Sequence, residues 1–250
     1  MSATDIGTDD LLMSREEIDL EVRELFEQAD GNGDDVLTAA EVGDGEAWDD
    51  LVDADSDRDG SVTRDELTVF LVAVNAPAGF RVADGVAVMS GLIDSETPAR
   101  VLRLVFEHPD VRTIEMTFVP GSIDDEANLR AAAVVRRFGF TTLLRRQSTI
   151  ASGGTDFFLA GKQRVVEAGA LLGIHSWGGP GFEGQDVPRD DPQHRLYLDY
   201  YEEMGIPAEF YWRTLEAAPA DGIHWMTEPE LKQFRFRTEA TEASAKEGLR

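Results

Sequence analysis

The chain has 250 residues, with 49 acidic and 23 basic side chains, a formal net charge of −26 and a hydrophobic fraction of 42%. This length and hydrophobic fraction permit a sizeable core in one or two domains and argue against a globally disordered chain. The absence of cysteine excludes disulfides, thiolate metal sites and a cysteine nucleophile. The strong negative charge disfavours sequence-independent binding of nucleic acid, because the phosphates would be repelled.

The sequence also bears on where the protein resides. It has no run of about 18 uninterrupted apolar residues, so we expect no membrane-spanning helix. Its first ten residues, MSATDIGTDD, are acidic and polar and lack the basic and apolar regions of a secretory signal. We therefore expect a soluble protein that is cytoplasmic by default, or extracytoplasmic if a leader has been removed.

The negative charge is concentrated near the N-terminus. Residues 1–80 carry 23 acidic and four basic side chains, whereas residues 81–250 carry 26 acidic and 19 basic ones. The stretch from Asn75 to Gly79 has the composition of a turn or linker. These patterns predict three parts, namely an acidic module over 1–78, a larger domain over 79–238 and a mobile polar tail over 239–250.

The acidic module begins with an amphipathic helix predicted over Ser14 to Ala29, in which Ser14 and Glu17 form a capping-box pattern. Two twelve-residue segments follow, one starting at Asp30 and one at Asp55, with oxygen-bearing residues at positions 1, 3, 5 and 12. Both segments resemble the EF-hand calcium loop. The ligands that this resemblance implies are Asp30, Asn32, Asp34, Val36 and Glu41 in the first loop and Asp55, Asp57, Asp59, Ser61 and Glu66 in the second.

Calcium is a hard cation that takes six to eight oxygens, and this loop pattern supplies them. We expect a weaker site in the first loop, because Asp35 occupies the position where glycine normally makes the sharp turn. Only 13 residues separate the loops, so the inner helices must be brief, with a bend at Gly43 and Gly45. Leu37 and Val62 should join the loops through a short β-like contact. The alternative is a solvated acidic surface that binds no cation.

From residue 80 onwards, strand-like and helix-like segments alternate, which predicts an α/β domain with a largely parallel sheet. The predicted strands are Val82–Leu92 (a strand or hairpin), Val111–Val119, Thr141–Leu144 and Ala170–His175. The predicted helices are Thr97–Glu107, Asp124–Phe138, the end of Ser148–Ala160, Leu196–Met204 and Ala208–Leu215. The last two are rich in aromatic residues, which is typical of a core or of a subunit interface.

Four segments of this domain resemble the ClpP/crotonase superfamily in order and spacing over about residues 82–235, and Clp-like proteins most closely. They are Pro120–Asp125, Ile150–Gly161, Gly173–His175 and Trp225–Leu231. The resemblance implies a parallel β-sheet superhelix with flanking helices, a peptide or acyl substrate, and assembly into a homo-oligomer. The expected fold is therefore an EF-hand module followed by an α/β ClpP/crotonase-like domain.

Ser152 and His175 are the candidate nucleophile and base of this domain. A serine hydroxyl is a weak nucleophile that needs an adjacent base, and His175 at the end of a predicted strand could accept its proton. The resemblance implies that the backbone amides of Gly121 and Gly153 bind the oxyanion. Ser152 alone is also typical of an ordinary helix N-cap.

The third member of a catalytic triad is less clear from the sequence. By resemblance, an acid should lie just before Trp225, and Asp221 is the nearest acid although it comes two residues early. Asp199 and Asp156 are alternatives, and a serine–histidine dyad without an acid is a further one. The loop from Trp177 to Gly184 lies beside this predicted site, either as a lid or substrate groove or as an ordinary loop.

Three functions fit these patterns. The first is a calcium-binding, peptidase-like serine hydrolase of Clp type. The second is a non-catalytic, calcium-dependent scaffold that keeps the Clp-like fold. The third is a crotonase-type acyl-CoA enzyme, which would need a basic patch for the phosphates of CoA. The chain has three lysines and no evident basic cluster, which places this function last.

Overall fold

The structure is a computed structural model that describes residues 4–6, 13–43, 48, 51–179 and 182–238. Gly45 and the predicted mobile tail over 239–250 lie outside the described residues. The buried hydrophobic side chains form two separate clusters, one between Ile18 and Leu67 and one between Ala78 and Phe236. Of the helices in the described ranges, none is both long and apolar enough to cross a membrane.

The N-terminal module is built from short helices and two short strands. Its described elements are α1 (Arg15–Ala29), β2 (Val36–Thr38), α2 (Ala39–Val42), a 3-10 turn (Val52–Ala54), β3 (Ser61–Thr63) and α3 (Arg64–Asn75), and strand β1 (Thr4–Ile6) precedes them. The predicted first helix and its capping box are confirmed. The Glu17 carboxylate accepts from the Ser14 N–H at 2.8 Å, and the Ser14 hydroxyl accepts from the Glu17 N–H at 3.3 Å.

The two acidic loops are joined as their sequence predicts. Strands β2 and β3 pair antiparallel, with Leu37 opposite Val62, and both side chains are fully buried. The first inner helix, α2, is only four residues long and ends at Gly43, whose φ of 101° is reached most easily by glycine. The loops therefore lie side by side with a common apolar contact between them.

The larger domain alternates strands and helices. Its elements are β4 (Gly79–Ala83), β5 (Val86–Ser90), α4 (Thr97–Glu107), β6 (Thr113–Met116), β7 (Phe118–Val119), α5 (Asp125–Phe138), β8 (Thr141–Leu144), β9 (Thr149–Ala151), α6 (Gly153–Leu159), β10 (Gln163–Val166), β11 (Leu171–Ile174), β12 (Gly178–Gly179), β13 (Phe182–Glu183), α7 (Arg195–Met204), α8 (Ala208–Ala217), β14 (His224–Trp225) and α9 (Glu228–Gln233). Each predicted helix is present, and the first predicted strand is the β4–β5 hairpin.

The strands of the larger domain form two main sheets. One sheet has the order β1-β4-β5-β6-β8-β10, in which β5, β6, β8 and β10 run parallel. The other has the order β14-β11-β9-β7, in which β7, β9 and β11 run parallel. The result is a mixed α/β fold with parallel sheets, as the alternation of segments predicts.

Two details differ from the predictions. Residues 4–6, counted within the acidic module and not predicted as a strand, form β1, which pairs antiparallel with β4 of the larger domain, with Asp5 opposite Arg81. The single strand predicted over Val111 to Val119 is divided, because β6 joins the first sheet and β7 joins the second. Between them, the Thr117 N–H donates to the Met89 carbonyl at 3.0 Å. Sequence periodicity shows that such a segment is buried, but not which sheet it joins.

Helix α6 lies in the centre of the domain, and all seven of its residues are buried. A Cβ atom added at Gly154 would lie 2.2 Å from the carbonyl oxygen of Val119, so the helix can approach β7 only with glycine there. We predict that Gly154→Ala lowers the free energy of unfolding by about 1–3 kcal/mol, because overpacking displaces the backbone. Urea unfolding measures this change.

The matched control for this substitution is Gly31→Ala, whose added Cβ would meet no atom within 4 Å. We expect this variant to unfold with nearly the free energy of the wild type. An unchanged free energy of unfolding in Gly154→Ala would contradict the close packing of α6 on β7.

Candidate active site and cation-binding loops

Ser152 lies in a sharp turn between β9 and α6. Its φ of 51° and ψ of −128° fall in a region that L-residues rarely adopt. The Ser152 N–H donates to the Gly173 carbonyl at 3.1 Å, and the Ser152 carbonyl accepts from the Thr155 N–H at 2.8 Å. Its hydroxyl makes no capping hydrogen bond, so the residue does not act as an ordinary N-cap. Strained strand-to-helix turns of this kind carry the nucleophile in several hydrolases.

His175 follows strand β11, which runs parallel to β9 with Gly173 opposite Ala151. Both candidate residues therefore follow the carboxyl ends of neighbouring parallel strands, where Ser152 and His175 line a cavity of about 220 Å³. The Nδ1 atom of His175 lies 2.8 Å from the Ser176 carbonyl oxygen. Because a carbonyl only accepts, Nδ1 carries the proton of the neutral ring and Nε2 is left as the basic nitrogen.

The structure does not bring Asp221 to His175. Asp221 is exposed, in a turn closed by a 3.1 Å hydrogen bond from the Gly222 N–H to the Pro219 carbonyl, and it lines a different groove. Asp199 is also exposed and lies 3.7 Å from Arg195. In the described part of the chain a backbone carbonyl orients His175, which corresponds to the dyad alternative.

The two glycines of the predicted oxyanion pair lie next to the nucleophile. A Cβ at Gly121 would be 3.3 Å from Ser152 Cβ and 3.6 Å from its hydroxyl oxygen. A Cβ at Gly153 would be 2.3 Å from the hydroxyl oxygen of Ser122. The Asn128 amide donates to the Gly153 carbonyl at 2.8 Å and fixes that peptide. Among the described residues, neither glycine N–H has an acceptor, so both amides are free to donate.

Asp156, one of the alternative acids, lines the same cavity as Ser152 and His175. Its side chain is only 8% exposed, and its Oδ1 accepts from the Tyr201 hydroxyl at 2.6 Å. Burial raises the pKa of Asp156 to about 7, and the negative charge of Asp125 adds to this effect. Asp156 follows Ser152 by four residues, in the first turn of the helix that Ser152 precedes, and both residues line the cavity.

A second carboxylate, Asp125, lies at the exposed side of the cavity. It accepts from the Ser122 hydroxyl at 2.6 Å and from the Tyr197 hydroxyl at 2.6 Å. Burial raises the pKa of Tyr197 well above its usual range, and the charges of Asp156 and Asp125 add to the effect. Sequence reasoning missed Asp125 and Tyr197 as cavity residues, because they come from different helices, α5 and α7.

The aromatic residues of α7 and α8 belong to the core rather than to an exposed face. Tyr200, Tyr201, Phe210 and Tyr211 are at most 6% exposed. Tyr201 and Tyr211 also line the cavity beside Ser152. Of the two roles predicted for this aromatic segment, the core accounts for these buried rings, and self-association stays a prediction.

The loop after His175 forms one wall of the cavity. Trp177 lines the cavity and donates its ring N–H to the Tyr211 hydroxyl at 2.8 Å. Strands β12 and β13 pair antiparallel, and the Glu183 carboxylate accepts from the Ala220 N–H at 3.0 Å. Pro180 and Gly181, at the tip of this predicted loop, lie outside the described residues. The described part is therefore a hairpin tethered to the domain.

In the first acidic loop, the predicted ligands converge. Carboxylate oxygens of Asp30, Asp34 and Glu41 lie within 4.8 Å of one another. Glu41 Oε1 is buried and has no hydrogen-bond partner among the described residues. Asp35 adopts a φ of 61°, so it takes the left-handed conformation that glycine usually supplies. A buried oxygen without a hydrogen-bond partner, next to two other carboxylates, is suited to be a cation ligand.

The second acidic loop holds a similar group, and its members within 4.8 Å of one another are Asp55, Asp57 and Asp59. Desolvation and the nearby carboxylates raise the pKa of Asp57. The closing Glu66 is outside that group and accepts hydrogen bonds from Ser56 and Thr63 instead. Partial burial favours a higher pKa for Glu66, but the hydrogen bonds outweigh this effect and the pKa is lowered. Loop two matches the sequence pattern completely, but only loop one has its closing carboxylate within the group of converging carboxylates.

Comparisons with known proteins give similar solved structures but no family. No protein-family profile and no curated protein match the chain. Two similar solved structures are mutants of the 1510-N membrane-bound stomatin-specific protease, one with a serine replaced by alanine and one with a lysine replaced by alanine, in complex with a substrate peptide. Each match has a TM-score of 0.41 and 15% sequence identity and covers 58% of this chain. The matched region is 75% of the chain of the serine mutant and 71% of the chain of the lysine mutant. The candidate function is therefore inferred from the geometry around Ser152 and His175.

Proposed function

We propose that the chain is a Clp-like serine hydrolase, peptidase-like in its chemistry, that acts on peptide or acyl substrates. The observation that supports this most is the strained turn at Ser152, which places the residue in one cavity with His175. Backbone strain of this size persists only where the surrounding structure enforces it, and it is concentrated at functional sites.

The reaction follows from the positions of four groups. The Ser152 hydroxyl attacks the acyl carbon while Nε2 of His175 accepts its proton, and the protonated ring then donates that proton to the leaving group. The carbonyl oxygen becomes an oxyanion, which the free amides of Gly121 and Gly153 stabilise by hydrogen bonding. Water then repeats the same steps on the acyl-enzyme and releases Ser152.

A fluorophosphonate probe tests this function, because it reacts with an activated serine and reports no substrate preference. We expect stoichiometric labelling of Ser152, located by peptide mapping, and complete loss of labelling in Ser152→Ala. The control is Ser148→Ala, which removes a buried serine that does not line the cavity. A folded wild-type protein that resists the probe would contradict the hydrolase and favour the scaffold function.

We also propose that the two acidic loops bind Ca²⁺. The support is the convergence of carboxylates in each loop, together with the paired strands that hold the loops side by side. In the first loop Asp30, Asp34 and Glu41 would hold the ion, joined by Asn32 and the Val36 carbonyl. In the second loop the corresponding residues are Asp55, Asp57, Asp59, Ser61 and Glu66. Oxygen donors of this kind suit a hard cation.

Calorimetric titration of the chelator-treated protein should show two Ca²⁺ ions per chain. Glu41→Gln and Asp55→Asn should each remove one ion, because each substitution takes one charged ligand from one loop. Asp19→Asn is the matched control, since it removes an exposed carboxylate from α1 and leaves both loops intact. A wild-type protein that binds no Ca²⁺ at millimolar concentration would contradict this proposal and support the alternative, a solvated acidic surface that binds no cation.

A further inference from the structure

The cavity beside Ser152 has an unusual balance of charge. The carboxylates of Asp125 and Asp156 line it, and no lysine or arginine is among its described lining residues. Asp125 receives two hydroxyl hydrogen bonds at 2.6 Å and lies at the exposed side. Asp156 lies deeper and is only 8% exposed. Two carboxylates in a partly enclosed space without a cation are electrostatically uncompensated.

The oxygens of Asp156 are not used equally. Its Oδ1 accepts from the Tyr201 hydroxyl at 2.6 Å. Its Oδ2 has no hydrogen-bond donor among the described residues, although the side chain is more than nine-tenths buried and lines the cavity. Oδ2 is not among the fully buried polar atoms of the described residues that lack a partner, so it is open to the cavity, where an entering donor can form a hydrogen bond with it.

The other walls of the cavity are aromatic. Trp177, Tyr197, Tyr201 and Tyr211 line it, and the Trp177 ring is held by its hydrogen bond to Tyr211. Aromatic ring faces attract cations, and this attraction grows when the site is shielded from water. The volume of about 220 Å³ is below the range of about 300–1,000 Å³ typical of pockets for whole small molecules, so one side chain is a better match.

We propose that this cavity is a specificity pocket for a cationic side chain and that Asp156 is the residue that pairs with it. The substrate class is a peptide or acyl compound with a lysine-like or arginine-like group beside the scissile bond. The assignment rests on the proposed hydrolase function, because it places that group next to Ser152. Asp156 lies in the first turn of α6, four residues after Ser152, so the cationic group of a substrate would bind close to the hydroxyl that attacks.

The titration of Asp156 is consistent with this role. Burial, with the charge of Asp125, raises the pKa of Asp156 to about 7. A bound cation would reverse that effect and favour the carboxylate, since an opposite charge within a few ångströms stabilises the ionised form. At neutral pH Asp156 is therefore partly protonated, and a cationic substrate would ionise it.

The first test measures binding without chemistry. The full-length protein is titrated with n-butylammonium chloride, which mimics a lysine side chain, and with n-butanol, its neutral analogue, and NMR gives both dissociation constants. We expect the cation to bind at least ten-fold more tightly. Asp156→Asn should abolish this preference, whereas Asp199→Asn, which removes an exposed aspartate outside the cavity, should keep it. Equal affinities for the cation and the alcohol would overturn the pocket assignment.

The second test measures the same preference at Ser152. The rates of labelling are compared for two peptidyl phosphonate esters. They differ only in the side chain beside the phosphorus, which is that of lysine in one and that of norleucine in the other. We expect the lysine probe to react at least ten-fold faster, and Asp156→Asn to bring the ratio close to one. Fluorophosphonate labelling with no difference between the two peptides would refute the specificity and leave the hydrolase standing. Selective butylammonium binding without any labelling would refute the hydrolase and leave the pocket.

Discussion

Replacement of His175 by alanine should slow fluorophosphonate labelling of Ser152 by about 10³-fold or more. The hydroxyl is almost fully protonated at neutral pH, so its attack requires a base in hydrogen-bonding reach. In the proposed mechanism His175 is that base, since its Nδ1 lies 2.8 Å from the Ser176 carbonyl oxygen, which leaves Nε2 available. Pseudo-first-order labelling rates over a series of probe concentrations measure the effect.

The matched control for this prediction is His224→Ala. His224 bonds to Glu230 and Arg213 and does not line the cavity, so its loss should leave the labelling rate within a few-fold of the wild type. Circular dichroism confirms that both variants are folded. Labelling of His175→Ala at the wild-type rate would rule out His175 as the base, and would direct attention to the other titratable groups of the cavity.

Asp156→Asn should stabilise the protein at pH 8 and have little effect at pH 4. Burial raises the pKa of Asp156 from 3.8 to about 7 in the folded state. The folded protein therefore binds the Asp156 proton more tightly than the unfolded chain, and stability falls as the pH rises from about 4 to about 7. Above that range the full cost is present, with an upper bound of about 4 kcal/mol at 1.36 kcal/mol per pKa unit.

Urea unfolding of the wild type and Asp156→Asn at pH 4, 6 and 8 measures this difference. We expect the difference in unfolding free energy to be close to zero at pH 4 and to grow to a few kcal/mol at pH 8. Asp199→Asn should show no such trend, because that carboxylate is exposed. A constant difference across the three pH values would mean that Asp156 titrates normally. A carboxylate that destabilises the fold while serving the site is a common trade between stability and function.

Much of the fold could be predicted because its signals are local. The capping box at Ser14 and the acids at Asp124 and Asp125 specify structure through near neighbours, and the repeated loop pattern predicts the pairing of Leu37 with Val62. The sheet assignment could not be predicted. The segment from Val111 to Val119 has the pattern of one continuous strand, and only long-range pairing decides that its two halves join different sheets.

The position of the candidate serine–histidine pair could be predicted from the sequence, but its surroundings could not. Ser152 and His175 lie at element ends that the sequence marks, and the glycines at 121 and 153 mark close approaches of the backbone. Asp221 is a candidate only by its distance along the chain, and in the structure it lies in a turn and lines a groove that does not include His175. Asp156 and Tyr201 are 45 residues apart, so their hydrogen bond depends on how α6 and α7 pack.

The pairing of β1 with β4 makes the acidic module an insertion within a sheet edge. The 72 residues between these two strands must close into a loop before the strands can meet. Closing a flexible loop costs entropy that rises with the length of the loop. When most of that loop is a folded module, the entropic cost of closure falls by on the order of 2 kcal/mol. A cation that orders the module would therefore strengthen the pairing of β1 with β4, although neither strand touches the ion. Cation binding in the acidic loops would thus stabilise the sheet edge through chain entropy alone, without a conformational change in the larger domain.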